Sequence, residues 1–367
     1  MSQASGPLCG LKVLEIAGIG PAPFCAMMLA DMGADVVRVE RAHAPERGIP
    51  VAPRFDVLNR GRRSIALDLK SDDGVKTLLD LVARADVMLE GFRPGVMERL
   101  GAGPAECLAA NPRLVYGRMT GFGQDGPLSA AAGHDLNYIA LTGVLGSIGA
   151  PDKEPVVPLN LIGDFGGGGM LLTVGLLAAY VEAQRSGQGQ VVDAAMTDGS
   201  ALLMASTYGL KAAGAWQSGR GTNVLDGGAP WYGVYVTADG HHVSLAALEP
   251  RFYDELIRRL GLAELALPPR SDRARWPELR ARLAGCMLQK TRAEWQDLLE
   301  GTDVCFAPVL TMDEAPLHPH NVARGTFIDI AGVKQPAPAP RFARTPSRVQ
   351  HPPPAPGEHT EEILRGW

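Results

Sequence analysis

The opening of the chain sets the tightest limit on its fold. Residues 11–17 (LKVLEIA) read as a buried strand, 21–32 as a helix begun by Pro21, and 34–40 as a second apolar strand. Strand, helix and strand within about thirty residues make a βαβ unit, whose two strands lie parallel. The rhythm continues with a helix at 74–83, strands at 86–90 and near 114–118, and an apolar helix at 168–183. A turn at Ser186-Gly187-Gln188-Gly189 then leads into an extended stretch, 191–194, and an apolar helical run to about 213. Such alternation predicts a parallel sheet covered on both faces, an α/β fold.

After a loop-like stretch at 219–228 the texture changes. Residues 231–236 and 241–246 read as strands joined through Asp239-Gly240, a hairpin signal. Helices near 251–260, 276–288 and 292–300 carry apolar residues at helical spacing, so a smaller α+β domain is expected here. Prolines recur from 336 to 356 and exclude a regular helix or central strand. That segment is expected to wrap the first domain or a partner subunit before a short final helix.

With 367 residues, 46% of them hydrophobic and 20% charged, the chain can bury a large core. Its net charge of −5 argues against a general nucleic-acid binder. Cys9, Cys25, Cys107, Cys286 and Cys305 are scattered and form no Cys-x-x-Cys pair, so neither a disulfide framework nor a metal site is expected. The most apolar stretch, 170–181, reads as too short to span a bilayer, and no basic-then-apolar leader begins the sequence. The final Arg365-Gly366-Trp367 is not a peroxisomal signal. A cytoplasmic location is the expectation.

Several motifs bear on chemistry. Gly18-Ile19-Gly20-Pro21-Ala22-Pro23 follows the first strand like a dinucleotide fingerprint, with Glu40 ending the second strand. Pro23 takes the place of the third glycine, which argues against a nicotinamide cofactor. Arg60-Gly61-Arg62-Arg63 suits either a phosphate-binding cluster or solvated surface charge. His134 stands in the first turn expected of a helix, where exposed amides favour the neutral imidazole and hence a base. It equally suits a structural helix-start histidine.

Asp164 precedes Gly166 to Gly169 and the long apolar helix. Glycines there would let backbone amides approach a ligand and stabilise an anion on a carbonyl oxygen; an ordinary N-cap is the alternative. Glu249 ends the second hairpin strand, where it can orient an imidazole or merely begin a surface helix. The remaining histidines, including His241-His242 and His318-Pro319-His320, read as surface residues. Met170, Met196 and Met204 suit a core or an adaptable acyl slot.

Taken together, Ala17-Gly18-Ile19-Gly20-Pro21, Leu67-Asp68-Leu69-Lys70-Ser71, Gly91-Phe92-Arg93-Pro94-Gly95, Gly133-His134-Asp135-Leu136-Asn137-Tyr138, Asn160 to Asp164, Gly227-Gly228-Ala229-Pro230 and Ala339-Pro340-Arg341-Phe342 resemble the family III CoA-transferase superfamily, in particular its α-methylacyl-CoA racemase branch. Asp164 follows His134 by thirty residues, the family's spacing. In that family the Asp position is shared with transferases, which use it as a covalent nucleophile, while the His marks the racemases.

The resemblance implies a Rossmann-like large domain built from both chain ends plus a smaller α+β domain, in an interlocked homodimer. The boundaries implied are 1–190 for the first part of the large domain, 191–225 for linker helices, 226–325 for the small domain and 326–367 for the returning segment. The resemblance implies catalysis by His134 and Asp164 with Glu249 in support. It also implies CoA contacts from Ile19, Arg41, Leu67, Leu69, Lys70, Gly91, Phe92, Arg93, Arg99, Gly133 and Tyr138. Arg41, Lys70, Arg93 and Arg99 would neutralise phosphates.

The expected reaction interconverts (R)- and (S)-2-methylacyl-CoA by 1,1-proton transfer through an enolate, with no cofactor, no metal, no nucleic acid and no membrane span. The competing expectations are a CoA transferase with Asp164 as nucleophile, and an acyl-CoA-binding protein without turnover.

Overall fold

Strand β1 (Lys12–Ile16) is buried from Val13 to Ile16 because it lies inside a six-stranded sheet. Its companions are β2 (Asp35–Glu40), β3 (Arg62–Ala66), β4 (Val87–Glu90), β5 (Val115–Thr120) and β6 (Gln190–Ala195), in the order β3-β2-β1-β4-β5-β6. Every neighbouring pair is parallel. These are observations on a computed structural model that describes residues 5–41 and 51–367. The strand order reverses between β1 and β4, and in open α/β sheets the crevice beyond the carboxyl ends at such a reversal receives ligands.

Alternate residues feed two cores. Val13, Val36, Val87, Leu89 and Val115 pack with α1 (Pro21–Asp31) on one face. Leu14, Ile16, Val37, Val39, Met88 and Tyr116 pack on the other with α2 (Asp72–Val82), whose N-terminus Ser71 caps by accepting the Gly74 N–H at 3.1 Å. Each fully buried Val, Leu or Ile contributes roughly 1.5–3 kcal/mol, so the long apolar runs suffice to place these strands inside. Short helices α3 (Val96–Arg99), α4 (Pro104–Ala110) and α5 (Asp135–Leu141) follow β4 and β5.

The apolar helix differs from expectation at its start. It begins at Leu161, not near 168, with a π-helical stretch Leu161–Met170 that runs into α6 (Leu171–Ser186) and ends at Gly187 in the left-handed region. Gly166 to Gly169 are therefore inside the helix, their amides directed along it toward preceding carbonyls. A Cβ at Gly167 would lie 2.6 Å from the Ser200 nitrogen, and one at Gly169 would lie 2.7 Å from the Pro21 carbonyl oxygen. These glycines thus serve close packing against α1 and α7 (Met196–Leu203), and the expectation that they hold a ligand's anion is corrected. The joined run Leu161–Ser186 is 26 residues and apolar enough by length and composition to cross a bilayer, unlike the shorter stretch singled out in the sequence. Its Leu172 and Leu176 are buried in the core beside β5.

Strand β3 replaces the expected Arg cluster. Arg60 and Arg62 are 3% and 0% exposed, so the cluster is neither solvated charge nor a phosphate site. Arg62 Nε meets Glu15 Oε2 at 3.0 Å, Arg38 Nη1 meets Glu15 Oε1 at 2.5 Å, and Arg60 Nη2 meets Asp31 at 2.6 Å. Beside β3 runs the C-terminal segment: the Gly61 N–H donates to the His351 carbonyl, the Gly357 N–H to Ser64 Oγ at 2.8 Å, and the Ala66 N–H to Thr360 Oγ1. A final helix, Thr360–Gly366, seats Ile363 and Trp367 in the second core.

The chain divides into two compact units, Met1–Val144 with Pro158–Ala205 and Arg324–Trp367, and Leu145–Val157 with Ser206–Ala323. The division differs from the boundaries read in the sequence: β6 and α7 stay with the first unit because β6 pairs in parallel with β5, whereas 145–157 and 206–225 fall in the second. The second unit has an antiparallel sheet of Tyr232–Val236, His242–Ala246 and Phe306–Pro308. Helices Pro250–Arg259, Trp276–Met287 and Arg292–Leu299 accompany it around a core holding Trp231, Trp276 and Trp295.

Candidate active site

At the carboxyl ends of β1 to β3 lies a cavity of about 200 Å³. It receives Ile19, Arg41, Leu67, Leu69, Lys70 and Phe92 from the expected binding set, together with Arg38, Glu40 and Asp56. Apolar walls from Leu67, Leu69 and Phe92 suit a flat ring or an alkyl arm. Arg41 and Lys70 are exposed and have no ion pair among the described residues, which leaves both cations available to a phosphate. Arg38 is instead held by Glu15, and its Nε lies 3.4 Å from Glu40.

The other expected binding residues lie outside the lining of that cavity. A Cβ added at Gly91 would lie 3.4 Å from the Ala22 Cβ on α1, and Arg99 ends α3 with its guanidinium close to Gly95. Arg93 interacts electrostatically with Tyr138, and the Tyr138 hydroxyl donates to the Gly133 carbonyl. Phe122 packs edge-on to the Tyr138 ring at 4.9 Å, so the loop before α5 is pinned from one side.

Glu90, at the end of β4, anchors the loop that carries Gly91, Phe92 and Arg93. Its carboxylate accepts the Phe92 N–H at 2.6 Å and Arg118 Nε at 3.2 Å, while Arg118 also meets Glu98 at 2.8 Å. Burial pushes Glu90 up to about 7, with the Phe92 amide and Arg118 opposing the rise. The folded protein therefore holds this proton more tightly than the unfolded chain. Its contribution to stability is complete below the ordinary Glu value near 4.3 and is lost as pH rises through about 7, a swing of up to about 3 kcal/mol. Glu90→Gln should lose less stability than wild type between about pH 4 and about pH 8 in urea unfolding; parallel curves would refute the assignment.

His134 is the residue before α5 and is exposed. Its backbone N–H donates to Asn137 Oδ1 at 3.0 Å, and its carbonyl accepts the Asn137 N–H at 2.8 Å, so the local turn fixes where the imidazole begins. Asp164 sits in the first turn of the π-helical stretch rather than ahead of a helix. Its Oδ2 accepts Asn160 Nδ2 at 2.9 Å, and its backbone N–H donates to Asp135 Oδ1 at 2.6 Å.

The Asp164 carboxylate lies over the turn after β1: a Cβ on Gly20, which has φ +73, would stand 3.2 Å from Oδ2. Gly20 follows Gly18 and Ile19, which line the cavity, whereas Asp164 lies outside that lining. Burial raises the Asp164 pKa, the Asn160 hydrogen bond lowers it, Asp135 raises it and His134 lowers it. His134 and Asp164 thus fall within electrostatic reach of each other, one a base and the other a carboxyl held above its ordinary range. Asn160 and Asp135 belong to the motif segments, and their sequence signals are an Asn one helical turn before Asp164 and an Asp adjoining His134.

Glu249 lies in the second unit, exposed at the residue before helix Pro250–Arg259. All five cysteines are free, and burial pushes Cys25 and Cys107 up to about 12, which disfavours thiolate chemistry at either. Among the described residues no group of three His, Cys, Asp or Glu side chains gathers as a metal site.

Comparison with known proteins identifies the chain's relatives. The pattern of CoA-transferase family III matches residues 8–360. The sequence is 48% identical to alpha-methylacyl-CoA racemase of Mus musculus over 362 residues, covering 98% of this chain and 93% of that protein. It is 46% identical to alpha-methylacyl-CoA racemase of Homo sapiens over 365 residues, covering 97% and 92%. The crystal structure of a CAIB/BAIF family protein from Brucella suis superposes with a TM-score of 0.84 at 29% identity, covering 98% and 99% of the two chains.

Proposed function

The chain belongs to CoA-transferase family III, and from that premise we propose that it is an isomerase interconverting the (R) and (S) epimers of 2-methylacyl-CoA thioesters. The observation that carries the reading is His134 and Asp164 within electrostatic reach, with the Asp164 carboxylate against Gly20 of the β1 turn, in a chain 46% and 48% identical to two racemases.

In this mechanism one group removes the α-proton and the other returns a proton to the opposite face. The thioester carbonyl delocalises the charge of the intervening enolate. His134 begins as base toward one epimer while Asp164 begins as acid, and the roles exchange in reverse. Each group must then be accessible in both protonation states near neutral pH. Burial of Asp164 serves that need, because it brings the carboxyl closer to the pKa at which an acid and its base are both populated.

The reading assigns the cavity to the CoA portion, with Arg41 and Lys70 meeting phosphates, Leu67, Leu69 and Phe92 its apolar parts, and Ile19, Gly91, Arg93, Arg99, Gly133 and Tyr138 completing the path to the thioester. It gives Glu249 the second imidazole N–H and makes the working enzyme an interlocked homodimer. No separate cofactor takes part, since CoA belongs to the substrate, and free cysteines suit a reducing cytoplasm.

The test is to supply each pure epimer without any acceptor acid and follow the configuration of the acyl group. Both should reach the same mixture. Retention of configuration, with CoA passing to an added carboxylate through a covalent Asp164 adduct, would replace this reading with a transferase.

A further inference from the structure

We propose that Asp135 is a positioning residue, its carboxylate holding the Asp164 backbone in register with the turn that presents His134. The inference rests on the racemase reading. Asp135 is the first residue of α5 and adjoins His134 in the chain. A carboxylate in a first helical turn ordinarily serves its own helix's free amides. Asp135 Oδ1 instead accepts the N–H of Asp164 from the neighbouring helix, at 2.6 Å. One side chain therefore ties the two reacting residues together, covalently to one and by hydrogen bond to the other.

The surroundings favour a functional reason for this contact. Asp135 is 5% exposed, and among the described residues its Oδ2 meets no hydrogen-bond partner. A half-satisfied buried carboxylate is costly to stability, so folding alone gives little reason for it. A Cβ at Gly163 would lie 2.5 Å from Oδ1, so the glycine there is what admits the carboxylate to the Asp164 amide. Asn160 grips the Asp164 side chain from its other end. With backbone and carboxylate both tethered, Asp164 stays at a fixed distance from His134, and a displacement of about 1 Å in such a pair can cost a hundredfold in rate.

Asp135→Ala and Asp135→Asn, compared with wild type, test the proposal through epimerisation kinetics and backbone amide hydrogen exchange across 161–170. Asp135→Ala should lower kcat by about thirtyfold or more, keep KM for the acyl-CoA within about twofold, and speed exchange at the Asp164 amide. Asp135→Asn keeps an oxygen acceptor and should recover to within about fivefold of wild type with slow exchange restored. The proposal is overturned by Asp135→Ala with kcat within about threefold of wild type, by unaltered exchange in that variant, or by Asp135→Asn as slow as Asp135→Ala. An Asp135→Ala protein that cannot fold also overturns it, because the residue would then serve folding. Wild type that leaves both epimers unchanged would instead remove the racemase reading itself.

Discussion

Asp164→Ala should slow epimerisation by at least about a hundredfold while leaving CoA affinity nearly unchanged, and His134→Ala should do the same. A proton must leave one face of the α-carbon and another must arrive at the opposite face, so removing either group stops one half of the transfer in each direction. With the cavity assigned to CoA as proposed, affinity is spared because Arg41, Lys70, Leu67 and Leu69 line it and neither substitution touches them. Asp164→Ala should also fold normally: the carboxyl is disfavoured by burial, and its loss removes that burden along with one hydrogen bond from Asn160. Equilibrium binding of CoA and the rate of configurational change separate the two effects. Activity within about tenfold of wild type would remove the substituted residue from the mechanism.

The second large effect concerns the sheet that carries the site. Glu15, on β1, is fully buried and ion-paired with Arg38 on β2 and Arg62 on β3 at 2.5 and 3.0 Å. Glu15→Ala would leave two buried guanidinium groups without this partner, and breaking a buried pair from one side costs about 3–5 kcal/mol. Arg38 also donates to the Gly18 carbonyl in the β1 turn, and Arg62 donates to the Pro23 carbonyl and to the Arg60 carbonyl at 2.9 Å. The damage should therefore spread to the cavity wall and appear as weaker CoA binding besides a lower unfolding midpoint. Loss of less than about 1 kcal/mol in denaturant titration would mean that the network is dispensable. A triple replacement by apolar residues of similar volume should recover much of the stability, since the charges cost desolvation that apolar packing does not.

This network also shows where the sequence was legible. Strands β1, β2, β4 and β5 are rich in apolar residues, and their alternation with helices predicts a parallel sheet. Strand β3 begins with two arginines and reads as a phosphate-binding cluster or as surface charge. What buries Arg62 is Glu15, a residue far away in the chain, and no local pattern announces such a partner. The same holds for Arg60, whose partners are Asp31 and the Gln335 side chain of the returning segment.

At the site, His134 and Asp164 are named in the sequence by residue type and by the family resemblance, and the structure brings them within electrostatic reach of each other. The role of Asp135 became visible only once two helices were brought together, whereas Asn160 meets Asp164 one turn along the same helix. The glycines after Asp164 misled for a related reason: a missing Cβ admits a ligand or a neighbouring helix equally well, and only packing against Pro21 and Ser200 decides between them.

The central claim is most directly tested by proton NMR of one 2-methylacyl-CoA epimer incubated with the protein in D2O. The account predicts that the α-hydrogen signal disappears as deuterium enters and both epimers form; neither His134→Ala nor Asp164→Ala forms the second epimer, and exchange is lost in the variant lacking the base that faces this epimer's α-hydrogen. An α-hydrogen that persists beside folded, CoA-binding wild-type protein would contradict it.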